Sequence, residues 1–222
     1  MKREIIETKD GSKTIYLPDI NESYHSTHGA IREALHVFIK NGLHYFGNKN
    51  TIHILEIGFG TGLNALLTLL AIENSSQTIN YVSLEKFPLN LALIKQLNYP
   101  TQLKLNIAQT ALFNQLHTCE WNTPTPISKN FNLLKVEEDL ADFQTTTTFD
   151  IVYFDAFAPE KQAELWTAEI FSKIYSLLNA GGILVTYCAK GVVKRTLKSV
   201  GFQLETLSGP PGKREMIRAI KS

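Results

Sequence analysis

Apolar and polar positions follow two different periods along most of this chain. Seven short apolar runs predict β-strands, at residues 52–57, 79–84, 131–136, 149–154, 183–187, 203–207 and 216–220. Between them, apolar residues at helical spacing predict helices, at residues 64–72, 89–97, 110–117, 162–178 and 192–200. Strands that alternate with helices are typical of an α/β fold with a parallel sheet and helices on both faces. We therefore predict a mostly parallel seven-stranded sheet, with a loop over residues 122–130.

The first 50 residues have a pattern of their own. Two β-prone runs, 5–8 and 13–17, flank Lys9-Asp10-Gly11-Ser12, which is typical of a hairpin. Apolar positions then recur from residue 27 to about residue 43 as on an amphipathic helix that ends near Gly42. We predict that residues 1–50 form an N-terminal hairpin-plus-helix extension, packed on a core domain of residues 51–222.

Composition excludes some classes of protein and favours others. The 222 residues carry a net charge of +1, and no apolar run reaches the roughly 18 residues that a membrane span needs. The polar start does not look like a signal peptide, so a cytoplasmic protein without a membrane partner is expected. Cys119 and Cys188 lie far apart, and the histidines lack ligand spacing, so no metal site is expected.

Charge is distributed unevenly along the chain. From Tyr187 onward, eight basic residues are opposed only by Glu205 and Glu215. Such asymmetry would allow a polyanion to dock at one end of the molecule. A solvated lysine-rich face explains the same pattern equally well.

The segment Glu56-Ile57-Gly58-Phe59-Gly60-Thr61-Gly62 joins a predicted strand to a predicted helix. A glycine turn of this kind brings backbone N–H groups and a helix N-terminus close to a ligand. No lysine follows the turn, which disfavours a triphosphate, and the spacing is not that of a dinucleotide site. Glu85 ends the next strand, where a carboxylate can accept both hydroxyls of a ribose. The pattern therefore favours a nucleoside-bearing cofactor.

Acidic residues also follow the third and fourth predicted strands. Asp139 could accept a hydrogen bond from an adenine amino group. Asp155 ends an apolar strand and precedes Ala-Phe-Ala-Pro, which places a carboxylate and an aromatic ring at the reactive end of such a cofactor. A carboxylate there could orient an amine and take its proton. Alternatively, Asp155 caps the following helical segment, with Pro159 in its first turn.

The glycine turn with its following acids resembles class I S-adenosylmethionine-dependent methyltransferases, over nearly the whole chain after residue 50. The resemblance implies a Rossmann-like fold and S-adenosylmethionine as cofactor. The residues that it implies for cofactor binding are Glu56, Gly58, Gly60, Thr61, Gly62, Asn64, Glu85, Lys86 and Asp139.

Longer segments carry a closer resemblance. They are Phe-Asp-Ala-Phe-Ala-Pro-Glu-Lys from residue 154, Tyr24-His25-Ser26 with Gly29 and Glu33, residues 83–89, and Gly209 with residues 212–216. They resemble the methyltransferase half of the bifunctional enzymes that complete 5-methylaminomethyl-2-thiouridine in tRNA. One departure is Val136-Glu137-Glu138-Asp139, where that family more often has Gly-Asp.

This resemblance implies methylation of the 5-aminomethyl nitrogen on the wobble (2-thio)uridine of tRNA. Asp155 would lie beside the amine, with Tyr24, Phe157 and Trp166 in the substrate pocket. The residues expected to meet anticodon-stem phosphates are Lys190, Lys194, Arg195, Lys198, Lys213 and Arg214.

Since the chain ends at Ser222, before any flavin-dependent half, we expect a stand-alone methyltransferase. A separate flavin-dependent or tRNA-aminomethylating enzyme would then act first. Three alternatives stay open: a methyltransferase of a small-molecule or protein amine, an aminopropyl transferase, and a non-catalytic nucleoside-binding module.

Overall fold

The N-terminal part of this computed structural model, which describes residues 2–47 and 49–222, begins with a small antiparallel sheet. Its strands are β1 (Glu4–Glu7), β2 (Lys13–Leu17) and β3 (Glu22–Ser23), paired in that order. The predicted hairpin is therefore confirmed, and a third short strand extends it.

The helix predicted over residues 27–43 is shorter and distorted. Helix α1 spans Ala30–Ala34 and continues as a π-helical segment, Leu35–Lys40, after which Leu43–Phe46 forms a 3₁₀ turn. The N–H of Asn41 bonds to the carbonyl of His36, five residues earlier, as the wider π-helix requires. A Cβ on Gly42 would lie 2.3 Å from the carbonyl oxygen of Phe38, so only glycine allows the chain to leave the helix so closely.

The main sheet has eight strands rather than seven. They are β4 (Thr51–Ile57), β5 (Thr78–Leu84), β6 (Thr125–Ser128), β7 (Phe131–Val136), β8 (Phe149–Phe154), β9 (Leu178–Thr186), β10 (Gln203–Ser208) and β11 (Glu215–Ile220), in the order β10-β11-β9-β8-β4-β5-β7-β6. The five central strands are parallel, and β6, β10 and β11 pair antiparallel.

Strand β6 corrects the prediction of a loop over residues 122–130. Pro126 cannot donate to a neighbouring strand, but an edge strand with a bulge accommodates it. The remaining predicted strands are confirmed, and the mostly parallel α/β architecture with them.

The helices that follow are α2 (Leu63–Ala71), α3 (Leu91–Ile94), α4 (Tyr99–Gln102), α5 (Ile107–Thr118), α6 (Ala168–Leu177) and α7 (Gly191–Val200), with a 3₁₀ turn at Ala163–Trp166. The helix predicted over residues 89–97 is reduced to one turn, which Asn90 caps by accepting the N–H of Leu93. Helix α5 starts earlier than predicted because Asn106 and Gln109 cap its N-terminus reciprocally.

Two apolar clusters cover the two faces of the main sheet. Strand β8 is buried along its whole length, with Tyr153 in one cluster and Phe154 in the other. Strand β4 lies between β5 and β8, so the chain builds the sheet outward in both directions from β4. The carboxyl ends of β4 and β8 therefore form a switch point, where ligands of such sheets bind.

Over residues 2–47 and 49–222, no helix has both the length and the apolar character that crossing a bilayer requires.

Candidate active site

The glycine turn leaves β4 in a conformation that suits glycine. Gly58, Gly60 and Gly62 have φ angles of 91°, 49° and 69°, where other residues are strained. Space is also restricted, since a Cβ on Gly60 would lie 3.2 Å from the ring of Tyr24. The turn thus holds its backbone against side chains that come from the N-terminal segment.

Glu85 is fixed by the turn itself. Its carboxylate accepts the N–H of Gly60 at 3.0 Å through Oε2 and the N–H of Phe87 at 2.8 Å through Oε1. Each carboxylate oxygen keeps a further lone pair for a ligand. Glu85 therefore faces the cavity in a preset orientation that suits ribose hydroxyls.

Asp139 is paired with Lys86 beside this position. Lys86 Nζ lies 2.7 Å from Asp139 Oδ2, and the N–H of Ala141 donates to Oδ1 at 3.0 Å. These hydrogen bonds, that of Lys86 above all, hold the pKa of Asp139 below its usual value. Asp139 is consequently an ionised acceptor at neutral pH.

Asp155 ends β8 and lies opposite the first turn of α2. Asn64 Nδ2 donates to Asp155 Oδ2 at 2.9 Å. The pKa of Asp155 is raised to about 7, chiefly by burial and also by the Glu33 charge, against the lowering effects of the Asn64 hydrogen bond and the Lys213 charge. A carboxylate with this pKa can both accept and release a proton near neutral pH.

Two cavities meet at Asp155. The first has a volume of about 580 Å³, and the second about 390 Å³. The residues that line both are Tyr24, His25, Asp155, Ala156 and Phe157. The rings of Tyr24 and Phe157 meet edge to face at 5.3 Å between centroids.

The first cavity fits the predicted cofactor. Most of the predicted cofactor residues line it, namely Gly58, Gly60, Thr61, Asn64, Glu85, Lys86 and Asp139. Apolar side chains of Leu84, Leu140 and Leu165 complete its walls. The cavity wall is rich in carboxylates. These acceptors suit ribose hydroxyls and a cationic sulfonium compound, and they do not suit a polyphosphate.

Among the residues predicted for the cofactor and the substrate pocket, Gly62, Trp166 and Glu56 line neither cavity. Gly62 packs under His117 and Phe59, where a Cβ would lie 2.9 Å from the imidazole, so it shapes the turn from behind. Trp166 was predicted for the substrate pocket, but it packs on Phe154 and Phe171 in the core. Its Nε1–H donates to the carbonyl of Phe157 at 2.8 Å, so it supports a residue that does line both cavities.

Glu56 was predicted to contact the cofactor, yet it lies fully buried beneath the turn. It accepts a hydrogen bond from Ser83 Oγ at 2.5 Å, and burial raises its pKa to about 8. Glu56 Oε1, Asn64 Oδ1 and the Tyr81 hydroxyl are buried without a hydrogen-bond partner among the described residues. Glu56 thus lies behind the cavity, where its one described hydrogen bond is to Ser83.

The predicted RNA-binding residues separate into two groups. Lys190 pairs with Glu160, Lys194 with Glu215 at 2.7 Å, and Lys213 with Glu33. Arg195, Lys198 and Arg214 are exposed and, within residues 2–47 and 49–222, make no ion pair. Lys190 and Lys213 differ further from the prediction, because both line the second cavity rather than the outer surface alone.

Sequence reasoning did not assign several residues that the structure brings to the site. His25 bridges Thr14 Oγ1 at 2.8 Å and Thr61 Oγ1 at 3.3 Å, and burial lowers its pKa to about 4, so it is neutral. Arg3 reaches the first cavity, and Glu33 and Tyr187 reach the second. The segments around His25 and Glu33 stood out only as family matches, without a role.

Comparisons with known proteins agree with this geometry. A family described as S-adenosyl-L-methionine-dependent methyltransferase matches residues 125–222. The tRNA 5-methylaminomethyl-2-thiouridine biosynthesis bifunctional protein MnmC of Cupriavidus necator is 32% identical over 212 residues, which cover 90% of this chain and 32% of that protein. Its Cupriavidus metallidurans counterpart is 32% identical over 96% of this chain and 33% of that protein. The chain thus spans about a third of the length of these relatives.

A solved structure extends the relationship to the whole chain. MNMC2 from Aquifex aeolicus superposes with a TM-score of 0.80 at 27% identity, covering 100% of this chain and 70% of that one. Strand order, the glycine turn and the carboxylate-lined cavity are those expected for S-adenosylmethionine binding. By the family match, the fold and the carboxylate-lined cavity, the chain is an S-adenosyl-L-methionine-dependent methyltransferase of the class I fold, and it is similar to about a third of the length of the MnmC proteins.

Proposed function

We propose that this methyltransferase acts on tRNA, at the 5-aminomethyl nitrogen of the wobble uridine, and yields 5-methylaminomethyl-uridine or its 2-thio form. The observation that carries the proposal is the position of Asp155, between a cavity suited to the cofactor and a second cavity open to an acceptor. The names of the sequence relatives supply the tRNA product by similarity.

Asp155 has two tasks in this proposal. S-adenosylmethionine, when bound, supplies a methyl group on a positively charged sulfur. An aliphatic amine is largely protonated at neutral pH, so one proton must leave before its nitrogen can attack. The Asp155 carboxylate can hold an N–H of the amine and take that proton, and its pKa of about 7 suits the exchange.

Asn64 and the aromatic pair prepare the position. Asn64 holds one carboxylate oxygen of Asp155 and leaves the other for the amine. Tyr24 and Phe157 lie between the two cavities, where their rings can pack against the acceptor base and exclude water. Positioning of this kind is the main contribution that a protein can make to methyl transfer.

The exposed residues Arg195, Lys198 and Arg214 would contact tRNA phosphates. Lys190 and Lys194 would contribute less, since Glu160 and Glu215 already neutralise them. Such contacts position the RNA without reading its bases.

An earlier reaction must install the aminomethyl group on the tRNA. Removal of a carboxymethyl group by a flavin-dependent enzyme and direct aminomethylation would both serve. We place the protein in the cytoplasm, where tRNA is processed, as part of the same proposal.

The test uses labelled S-adenosylmethionine and tRNA whose wobble uridine stops at the aminomethyl stage. We expect labelled 5-methylaminomethyl-uridine after digestion to nucleosides. The matched control is the same tRNA with an unmodified wobble uridine, which offers no amine. Absence of label from the aminomethylated tRNA, or equal label in both, would contradict the proposal. Label on a free amine but not on tRNA would instead favour a small-molecule acceptor.

A further inference from the structure

The wall of the second cavity contains a charged pair to which the transfer step above assigns no contact with the acceptor. Glu33, on α1, pairs with Lys213, in the loop between β10 and β11. Both side chains line the second cavity beside Asp155. Glu33 is only 7% exposed, so its charge is held in a largely dry environment.

Each member of this pair is fixed from a second direction. Glu33 Oε2 accepts the N–H of Ser26 at 2.9 Å, in addition to the contact of Oε1 with Lys213. Lys213 Nζ lies 3.7 Å from the ring centroid of Tyr187, and the Tyr187 hydroxyl donates to the carbonyl of Ala156 at 2.9 Å. The pair is therefore a preset feature of the cavity wall.

The pair still has hydrogen-bonding capacity to offer. An ammonium group has three donors and no acceptor, whereas a carboxylate has about four acceptor positions and no donor. One donor of Lys213 and two positions of Glu33 are used. The wall thus presents a donor next to an acceptor, and both belong to residues that line the cavity.

We propose that Lys213 and Glu33 read the edge of the acceptor base and so select uracil. In uracil, the O4 carbonyl accepts and the adjacent N3–H donates, which complements Lys213 and Glu33 respectively. Cytosine reverses both groups, with an amino donor at position 4 and an acceptor at N3. O4 is bonded to C4, and C4 is the ring neighbour of C5, which carries the aminomethyl arm. A base held in this way would therefore direct its arm toward Asp155.

The aromatic residues support this assignment. Enzymes that act on a base take it out of the stack, read its Watson–Crick edge and pack it against aromatic side chains. Tyr24, Phe157 and Tyr187 all line the second cavity. The inference rests on the proposed function, because it presumes that the acceptor is a nucleobase.

The first experiment changes the base and keeps the protein intact. Synthetic anticodon stem-loops would carry 5-aminomethyl-uridine, 5-aminomethyl-cytidine or N3-methyl-5-aminomethyl-uridine at the wobble position. Binding is measured by fluorescence anisotropy and methyl transfer by label. We expect roughly tenfold or greater preference for the uridine over both analogues. Equal binding and transfer for all three would overturn base reading.

The second experiment changes the pair. Glu33→Gln and Lys213→Gln should each raise KM for the uridine stem-loop about tenfold and reduce the preference over the cytidine, while S-adenosylmethionine affinity stays within about twofold. Glu205→Gln and Lys221→Gln are matched controls: Glu205 pairs with Arg218, Lys221 lies over the ring of Tyr175, and neither lines either cavity. Variants that behave like these controls would overturn the inference.

Further outcomes distinguish the donor role of Lys213, the reading of the base edge and the methyl transfer from one another. If Lys213→Gln unfolds, Lys213→Arg keeps a donor and should retain the preference for uridine, and its loss would count against a donor role. Methyl transfer without base preference would overturn only the reading of the base edge. Base preference in binding without transfer would overturn only the proposed reaction, and the absence of both would overturn the two together.

Discussion

The two cavities that meet at Asp155 are built in different ways. The first is formed largely by the chain just after parallel strands, where backbone N–H groups of the glycine turn and of Phe87 fix Glu85. The second depends on an ion pair, Glu33 with Lys213, that joins residues 180 positions apart. The shape of a cavity set by backbone geometry should tolerate the loss of one charged side chain, whereas that of a cavity set by a largely buried ion pair should not. The predictions below probe this difference, from the largest expected effect to the smallest.

The strongest test concerns the residue that both cavities share. Asp155→Asn should lower kcat by roughly 10² to 10⁴, because the amine loses its proton acceptor. S-adenosylmethionine affinity, measured by calorimetry, should stay within a few-fold, because Asp155 is not required to hold the cofactor. Asp142→Asn, which removes an exposed acid outside both cavities, is the matched control. Equal losses of turnover and cofactor affinity would show that Asp155 is structural.

The pH dependence of transfer should carry the signature of the same group. The raised pKa of Asp155, about 7, means that the carboxylate is protonated as the pH falls through neutrality and can no longer accept a proton. As the pH falls, protonation of the amine already lowers kcat/KM about tenfold per pH unit. Protonation of Asp155 adds to this, so the slope of log kcat/KM against pH should increase by about one below pH 7. Rates measured from pH 5.5 to 9 would show this break in the wild type and its absence in Asp155→Asn. A constant slope in the wild type would contradict the role.

A change in the turn should affect the first cavity alone. Gly60→Ala places a Cβ in left-handed backbone, which costs roughly 1–2 kcal/mol, and 3.2 Å from the ring of Tyr24. We expect S-adenosylmethionine affinity to fall about tenfold. Gly181→Ala is the matched control, because Gly181 also has a positive φ, 72°, but its Cβ would meet nothing within 4 Å. If Gly181→Ala weakened cofactor binding as much, general backbone strain would explain both results.

The smallest effect concerns the outer surface. Arg195→Gln with Lys198→Gln should reduce the slope of log KM for tRNA against log salt by about one to two, since each phosphate contact contributes about 0.9. Turnover at saturating tRNA should not change. Lys9→Gln with Lys95→Gln removes the same charge from other exposed positions and should leave the slope unaltered. An unchanged slope in the first variant would place tRNA docking elsewhere.

The first cavity could be predicted from sequence to a large extent. Its residues follow the ends of parallel strands, and the carboxyl ends of parallel strands share one edge of the sheet. The sequence could therefore predict that Glu85, Asp139 and Asp155 lie close together. The prediction for Glu56 was wrong for a reason visible in the strand itself. Side chains alternate along β4, and Glu56 lies on the same face as Ile52 and Ile54, which the core covers.

The second cavity could not be predicted in the same way. Glu33 and Lys213 belong to an N-terminal helix and a C-terminal hairpin, and no local period relates them. The prediction that placed Trp166 in the substrate pocket also differs from the structure. An aromatic residue near a motif can equally pack in the core, and Trp166 packs there on Phe154 and Phe171. The distorted α1 segment was also missed, because Gly42 closes it against the ring of Tyr153, 3.0 Å from where a Cβ would lie, and this contact with β8 is not part of the local pattern.

The position of β11 has a consequence for biosynthesis. This strand follows all the other described strands along the chain, yet it lies inside the sheet, between β10 and β9, and the loop before it carries Lys213. Domains are synthesised from the N-terminus, so the strands around the glycine turn and Asp155 leave the ribosome before this loop exists. A nascent chain can therefore complete the cofactor cavity first, and the wall that faces the acceptor forms afterwards, when the loop with Lys213 has been synthesised.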